Sequence, residues 1–243
     1  MLSDQMAAVL ALLGGDGAGE PGVRLVPAAA GAAASALGVD GICAGVGTGP
    51  TGVVLAWGGQ ATSAALDDAQ FTLGEGPCVE AVAGGHPVLV PELSGALERW
   101  PAFAPAAMGL GVGAVFAFPL QIGAISIGVL RAYRDAPGPL AVGQLADALA
   151  LADAVTVLLL HRAPADGNEA AAGWGRPRPG WEQPGTHRAE VHQATGMLSV
   201  QLKVPLAEAL VRLRAHAYAA ERPISEVAAD VVARRLYLED SIL

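Results

Sequence analysis

At 243 residues the chain exceeds a typical domain of about 100–200 residues, so two hydrophobic cores are expected rather than one. Hydrophobic side chains make up 53% and charged ones 15%, which excludes the disordered class, whose sequences bury too little apolar surface to offset ordering entropy. The net charge of -9 argues against a chain-wide surface for polyanions, but of 14 basic and 23 acidic side chains seven of each fall in residues 187–243, leaving seven and sixteen in residues 1–186.

At the N-terminus, Met1–Met6 carries Asp4 where a secretory signal would carry a basic segment, and no long apolar run follows, so a cytoplasmic protein is expected. Residues 2–13 place Leu2, Met6, Val9, Leu10 and Leu13 at helical spacing, and residues 28–37 form a second small helical run. The period then shortens. Val39–Val46, Val53–Trp57, Pro87–Val90, Gly113–Leu120 and Ala124–Tyr133 are β-rich runs bounded by Gly, Pro or Asp, implying five or six strands with helical stretches between the earlier ones. Gln121 and Gly123 between the last two predict an antiparallel hairpin.

The uncharged stretches 41–66 and 100–130 are longer than a bilayer crossing needs, yet Pro101, Pro105, Pro119 and several glycines break the second into short strands and turns, and no membrane span is expected. Leu140–His161 reads as one long helix, interrupted by Asp147 and Asp153 and placed to cover one face of the sheet. It is more uniformly apolar than one sheet face requires. A second apolar surface needs a partner, and a homodimer is expected.

Residues 163–186, with Pro164, Pro177, Pro179, Pro184 and five glycines, accommodate no regular element and read as a linker between residues 1–162 and 187–243, with Trp174 and Trp181 exposed on it. Three helical patterns follow. Arg188–Leu202 aligns Val191, Ala194, Leu198 and Leu202; the second begins near Pro205 and aligns Leu206, Leu210 and Leu213 beside Ala209 and Ala217. The third runs over 225–238, with Ser225 as N-cap and Val227, Ala228, Val231, Val232 and Leu236 inward.

Little of this points to catalysis. Cys43 and Cys78 lie 35 positions apart, without the paired spacing of a zinc or redox motif, and structural burial is the default. Cys78 follows Gly76 and Pro77 at the start of a helix, where the dipole lowers a thiol pKa, which makes it the candidate redox residue. His187 and His192 are five apart and do not share a helix face, so no metal site is expected. No nucleophile elbow, phosphate-binding glycine loop or phosphorelay pattern is present, and no catalytic residue is named.

FTLGEGPCV (71–79), RWPAFA (99–104) and the strand pair VGAVFAFPLQIGAISIGVLRAYR (112–134) resemble the GAF domain of actinobacterial regulators, over residues 29–161. That resemblance implies an α+β fold, an antiparallel sheet with helices on one face and a pocket for a small-molecule ligand on the other, without naming the ligand or a cofactor. VHQATGMLS (191–199), PLAEALVRLRAHAYA (205–219) and RPISEVAADVV (222–232) resemble the ANTAR domain, a small all-α three-helix unit. This second resemblance implies binding of RNA hairpins in transcription antitermination. It places the contact on Arg188, Gln193, Ala194, Thr195, Gly196, Arg214 and Arg222, with Thr195 standing where the family often has Lys. Small Ala194 and Gly196 would admit a close surface or merely a neighbouring helix; Arg212 and Arg214, pointing in different directions, and Arg222 in the following turn are each a phosphate candidate or a merely solvated surface arginine. Two rival readings remain at this level: a GAF-type thiol enzyme that reduces free methionine sulfoxide, whose family uses more cysteines than these two, and a regulator whose C-terminal helices contact only protein.

Overall fold

The structure, a computed structural model, describes residues 2–14, 27–46, 54–57, 61–161 and 186–238. The expected linker, including Trp174 and Trp181, lies outside the described residues. Two helices, α1 (Asp4–Gly14) and α2 (Pro27–Leu37), precede strands β1 (Gly41–Val46) and β2 (Val54–Trp57). Helices α3 (Ala61–Leu73) and α4 (Pro77–Gly84), strand β3 (Val88–Val90), a short 3-10 turn and α5 (Phe103–Gly109) come next. The hairpin β4 (Ala114–Ile122) and β5 (Ile125–Arg134) then leads into α6 (Val142–His161). The sheet is fully antiparallel where paired, in the order β2-β1-β5-β4-β3. All five expected strands and the expected hairpin are present.

Both faces of the sheet are covered, which explains why its strands read as nearly continuous apolar runs instead of an inward and outward alternation. Ile42, Ala44, Phe116, Phe118, Leu130 and Ala132 point to one side and pack under α1, α2 and α6. Val88, Val115, Ala117, Val129 and Tyr133 point to the other, against α3, α4 and α5. The face reserved for a pocket by the family pattern therefore carries three helices of its own. β1 and β5 approach closely at Gly128, where an added Cβ would collide with the carbonyl oxygen of Gly45.

Helix α6 is long and apolar enough to cross a membrane by length and composition, but its Ala148, Leu151, Ala152, Val155 and Leu159 are buried in the sheet core. Asp147 is also buried, and its two carboxylate oxygens accept from the Ser3 backbone N–H (3.0 Å) and hydroxyl (2.5 Å), tying α6 to the start of α1. This is a core-facing attachment that a lipid-facing helix would not have.

Downstream, α7 (Thr186–Leu202), α8 (Leu206–Ala219) and α9 (Ile224–Val232) enclose a second core of Val191, Ala194, Leu198, Leu210, Leu213, Val227 and Val231. Three local expectations are corrected. Pro223, in extended geometry, holds the N-cap position of α9, so Ser225 falls inside the first turn. The helix ends at Val232, because Arg234 has a positive φ of 56° and the Arg235 and Leu236 N–H groups both turn back to the Asp230 carbonyl; Leu236 packs on the core from beyond the helix. Leu206, expected inward, is half exposed in the first turn of α8.

Candidate nucleic-acid interface

The three-helix unit sorts the expected RNA contacts onto different surfaces. Arg188 lies in the first turn of α7, its side chain outside the described residues. Gln193 is exposed on α7, and Gly196, one turn on, faces open space where a Cβ would meet nothing within 4 Å. Both line a groove of about 590 Å³ with Val200, Arg234 and Tyr237. Ala194 and Thr195 are instead turned inward: Ala194 is fully buried, and the buried Thr195 hydroxyl donates to the Val191 carbonyl at 2.7 Å. A surface contact through either is thereby withdrawn, since helix packing accounts for the small residue at 194 and the back-bonded hydroxyl at 195. Arg222 is exposed but bridges to Asp230 (2.8 Å) and Glu226 (3.5 Å), so a phosphate would have to compete with two carboxylates for it. Arg212 pairs with Glu208 one turn back, on a different side from Arg214, as expected.

In the N-terminal unit each position of FTLGEGPCV has a physical task. Phe71 ends the buried part of α3, and Gly74 supplies the positive φ of 72° after its last turn. Glu75 Oε1 accepts the backbone N–H groups of Ala102 and Phe103, both at 2.8 Å, and so joins this run to RWPAFA at the start of α5. Arg99 of that second run pairs with Glu80 of α4 and lies over the Trp100 ring. Cys78 enters a buried polar cluster centred on Arg131. That guanidinium, 2% exposed, donates to the Ser63 carbonyl (2.5 Å) and Asp67 (3.3 Å) and lies 3.0 Å from Cys43 Sγ and 3.9 Å from Cys78 Sγ. Gln70 Oε1 accepts the Cys78 N–H at 2.7 Å. Nothing in the sequence reading singled out Arg131. Its signal was available: it is the first charge after the uncharged stretch 100–130, within a strand apolar on both faces.

Burial pushes both thiols up, Cys43 to about 11, with Arg131 only partly offsetting it. The helix start does not yield a thiolate at Cys78, because desolvation of the charged form outweighs the dipole. Both thiols titrate higher folded than unfolded, so the stability they contribute is present below pH 9.0, the ordinary value, and is lost as pH rises through their folded values, about 11 for Cys43. We expect the denaturant midpoint to fall across that window. At pH 7 a water-soluble thiol reagent should label neither cysteine until the chain unfolds. Rapid labelling of native Cys78 would restore it as a redox candidate.

Residues 185–232 match the family model of the ANTAR domain. The three C-terminal helices are an ANTAR domain. The N-terminal fold resembles the GAF domain of an Acinetobacter phosphoenolpyruvate-protein phosphotransferase, at 14% identity and a TM-score of 0.51, over 67% of this chain and 96% of that one. That likeness shows a GAF fold. The GAF domain of a Coxiella burnetii phosphoenolpyruvate-protein phosphotransferase is also similar (17% identity, 70% and 99% covered, TM-score 0.47). So is a type II free methionine-R-sulfoxide reductase from Thermoplasma acidophilum (14% identity, 66% and 97% covered, TM-score 0.44). Among curated proteins no relative is found.

The ANTAR domain rests against the end of α3. Arg214 Nε donates to the Phe71 carbonyl at 3.1 Å, its Nη2 donates to the same oxygen, and the guanidinium lies 5.8 Å from the centre of the Phe71 ring. His192 of α7 meets that ring edge-on at 5.7 Å. Phe71, although carried by α3, belongs to the core of the ANTAR domain. Desolvation in this contact lowers the pKa of Arg214 from its ordinary value. One expected RNA contact is thus occupied by the GAF domain.

Proposed function

We propose that this protein is a signal-responsive, RNA-binding regulator of transcription antitermination, in which the GAF domain senses a small molecule and the ANTAR domain binds RNA hairpins. In this reading it is a cytoplasmic homodimer and a regulator, not an enzyme. The observation that carries the reading is the ANTAR match over residues 185–232. Its support is local chemistry: Gln193, Gly196, Arg234 and Tyr237 line one surface groove, with a cation for phosphate and an aromatic ring for an unstacked loop base, and Arg222 is exposed nearby in its ion pairs with Asp230 and Glu226. The domain is electrically balanced, so binding rests on this arrangement and not on bulk charge. Support for sensing comes from α3, whose buried Ser63 and Asp67 meet Arg131 in the GAF interior while its buried Gln70 holds the start of α4 at Cys78. Pairing two chains would place two ANTAR domains together and raise their effective concentration at paired hairpins.

Simultaneous reversal of Arg188, Arg214 and Arg222 to Glu should abolish binding to a pool of short stem-loop RNAs. The neutral variant Arg188→Gln, Arg214→Gln, Arg222→Gln should keep weak binding and lose about 2–3 from the slope of log affinity against log salt, the share of three phosphate contacts. A filter-binding titration between 50 and about 200 mM salt reads both. Undiminished affinity in either triple variant would overturn the site, and no binding by the parent to any member of the pool would overturn RNA recognition itself.

A further inference from the structure

The last turn of an α-helix leaves its carbonyl groups without partners along the helix, and together they carry the negative end of the helix dipole. In α3 the Gly74 N–H turns back to the Gln70 carbonyl, whereas the Phe71 carbonyl points outward to the guanidinium of Arg214. Gly74 makes the approach feasible. A Cβ there would stand 2.7 Å from Arg214 Nη1, so a side chain would push the guanidinium off the helix end. The Phe71 ring completes the site, with Arg214 against it and His192 at its edge. This is a receptor for one arginine and one apolar helix face, and the ANTAR domain supplies both.

We infer that the end of α3 is an autoinhibitory docking surface, which holds the ANTAR domain in a closed form by sequestering Arg214 from RNA. The inference rests on the RNA-binding reading above. Arg214 cannot give the same N–H groups to the Phe71 carbonyl and to a phosphate, so RNA that uses Arg214 and the GAF domain exclude one another. The cleft beside the contact, about 860 Å³ and lined by Thr72, Gly74, Ala102, Val211, Tyr218 and Arg222, borders the seam, so the two domains part by withdrawing Phe71 from the ANTAR core. It also brings Arg222 to the edge of the same contact.

The same helix reaches the GAF interior. Gln70, next to Phe71, accepts the Cys78 N–H, and Asp67 and Ser63, one and two turns earlier, meet Arg131. A change in that buried cluster that rotates or shifts α3 moves the Phe71 carbonyl with it. The contact is therefore placed where an event inside the GAF domain would loosen it, through a single rigid element rather than through the linker.

The test uses the full chain. Phe71→Ser removes the ring while leaving the backbone acceptor, and Thr72→Lys places a cation in the cleft facing Arg214 and Arg222. Both variants should raise the radius of gyration in small-angle scattering and bind the stem-loop RNA pool about tenfold more tightly than the parent, the gain expected when roughly a tenth of the parent is open. Thr72 is half-buried, so this second variant guards against a folding defect at position 71. Opened variants that bind RNA no better than a binding-competent parent overturn the autoinhibition and leave the RNA reading standing. Variants that stay as compact as the parent overturn the docking surface. If the variants open and neither they nor the parent bind any RNA, the RNA reading fails and the inference fails with it.

Discussion

Replacing Arg131 with Leu is expected to destabilise the GAF domain by about 3–5 kcal/mol, the range for removing one partner of a buried ion pair. Arg131 is fixed by β5 opposite Cys43 of β1, so its side chain and the thiol share one face of the sheet, and α3 brings Ser63 and Asp67 over them. Loss of the guanidinium removes the cation 3.3 Å from the Asp67 carboxylate and the donor to the Ser63 carbonyl. Both acceptors stay buried, and leaving them desolvated costs more than the pair contributes when intact. For a domain whose total stability is on the order of 5–15 kcal/mol this is a large fraction. The double variant Arg131→Leu, Asp67→Leu should recover part of the loss, since it removes both charges together. Urea unfolding of the two single variants and the double variant closes the cycle. A loss under about 1 kcal/mol for Arg131→Leu would mean that Asp67 does not depend on it.

Much of the fold was legible because burial on both faces writes β4 and β5 as apolar runs, while Gly and Pro mark their ends. The three ANTAR helices were legible through Val191, Ala194 and Leu198 and through Leu210 and Leu213, whose spacing is the periodicity of a core face. Capping was misread at Ser225 because a hydroxyl was preferred over Pro223, yet an extended proline closes the helix start without a side-chain bond. The site was less legible for a different reason. Thr195 and Gly196 are adjacent in sequence, but helical geometry turns one into the core and the other outward, and neighbouring letters of one motif thereby receive opposite roles. The pairing of Arg214 with Phe71 spans 143 positions and leaves no period to read. Arg131 stands alone in an apolar strand, and its partners Ser63 and Asp67 lie 68 and 64 positions away, so only the fold reveals the cluster.

The second large effect is expected at α6. Its Leu149, Asp153, Val157 and Leu160 form one stripe by steps of four, four and three, and the three apolar members are 41%, 49% and 39% exposed although the opposite side of the helix is buried in the sheet core. Beside it α1 leaves Leu12 59% exposed. In the proposed homodimer the stripe meets its own copy across a two-fold axis, so each residue counts twice, and the single polar member, Asp153, sets the register in the manner of one polar position in a coiled-coil seam. Leu149→Glu with Val157→Glu then brings four carboxylates into the seam, without touching either core. We expect dimer dissociation to shift by on the order of a hundredfold, about 2.8 kcal/mol at 1.4 kcal/mol per decade, with circular dichroism unchanged. Sedimentation equilibrium at micromolar concentration measures it. A variant that dimerises as the parent does would move the interface off α6, and a monomeric parent would remove the dimer, and with it the paired presentation of two ANTAR domains.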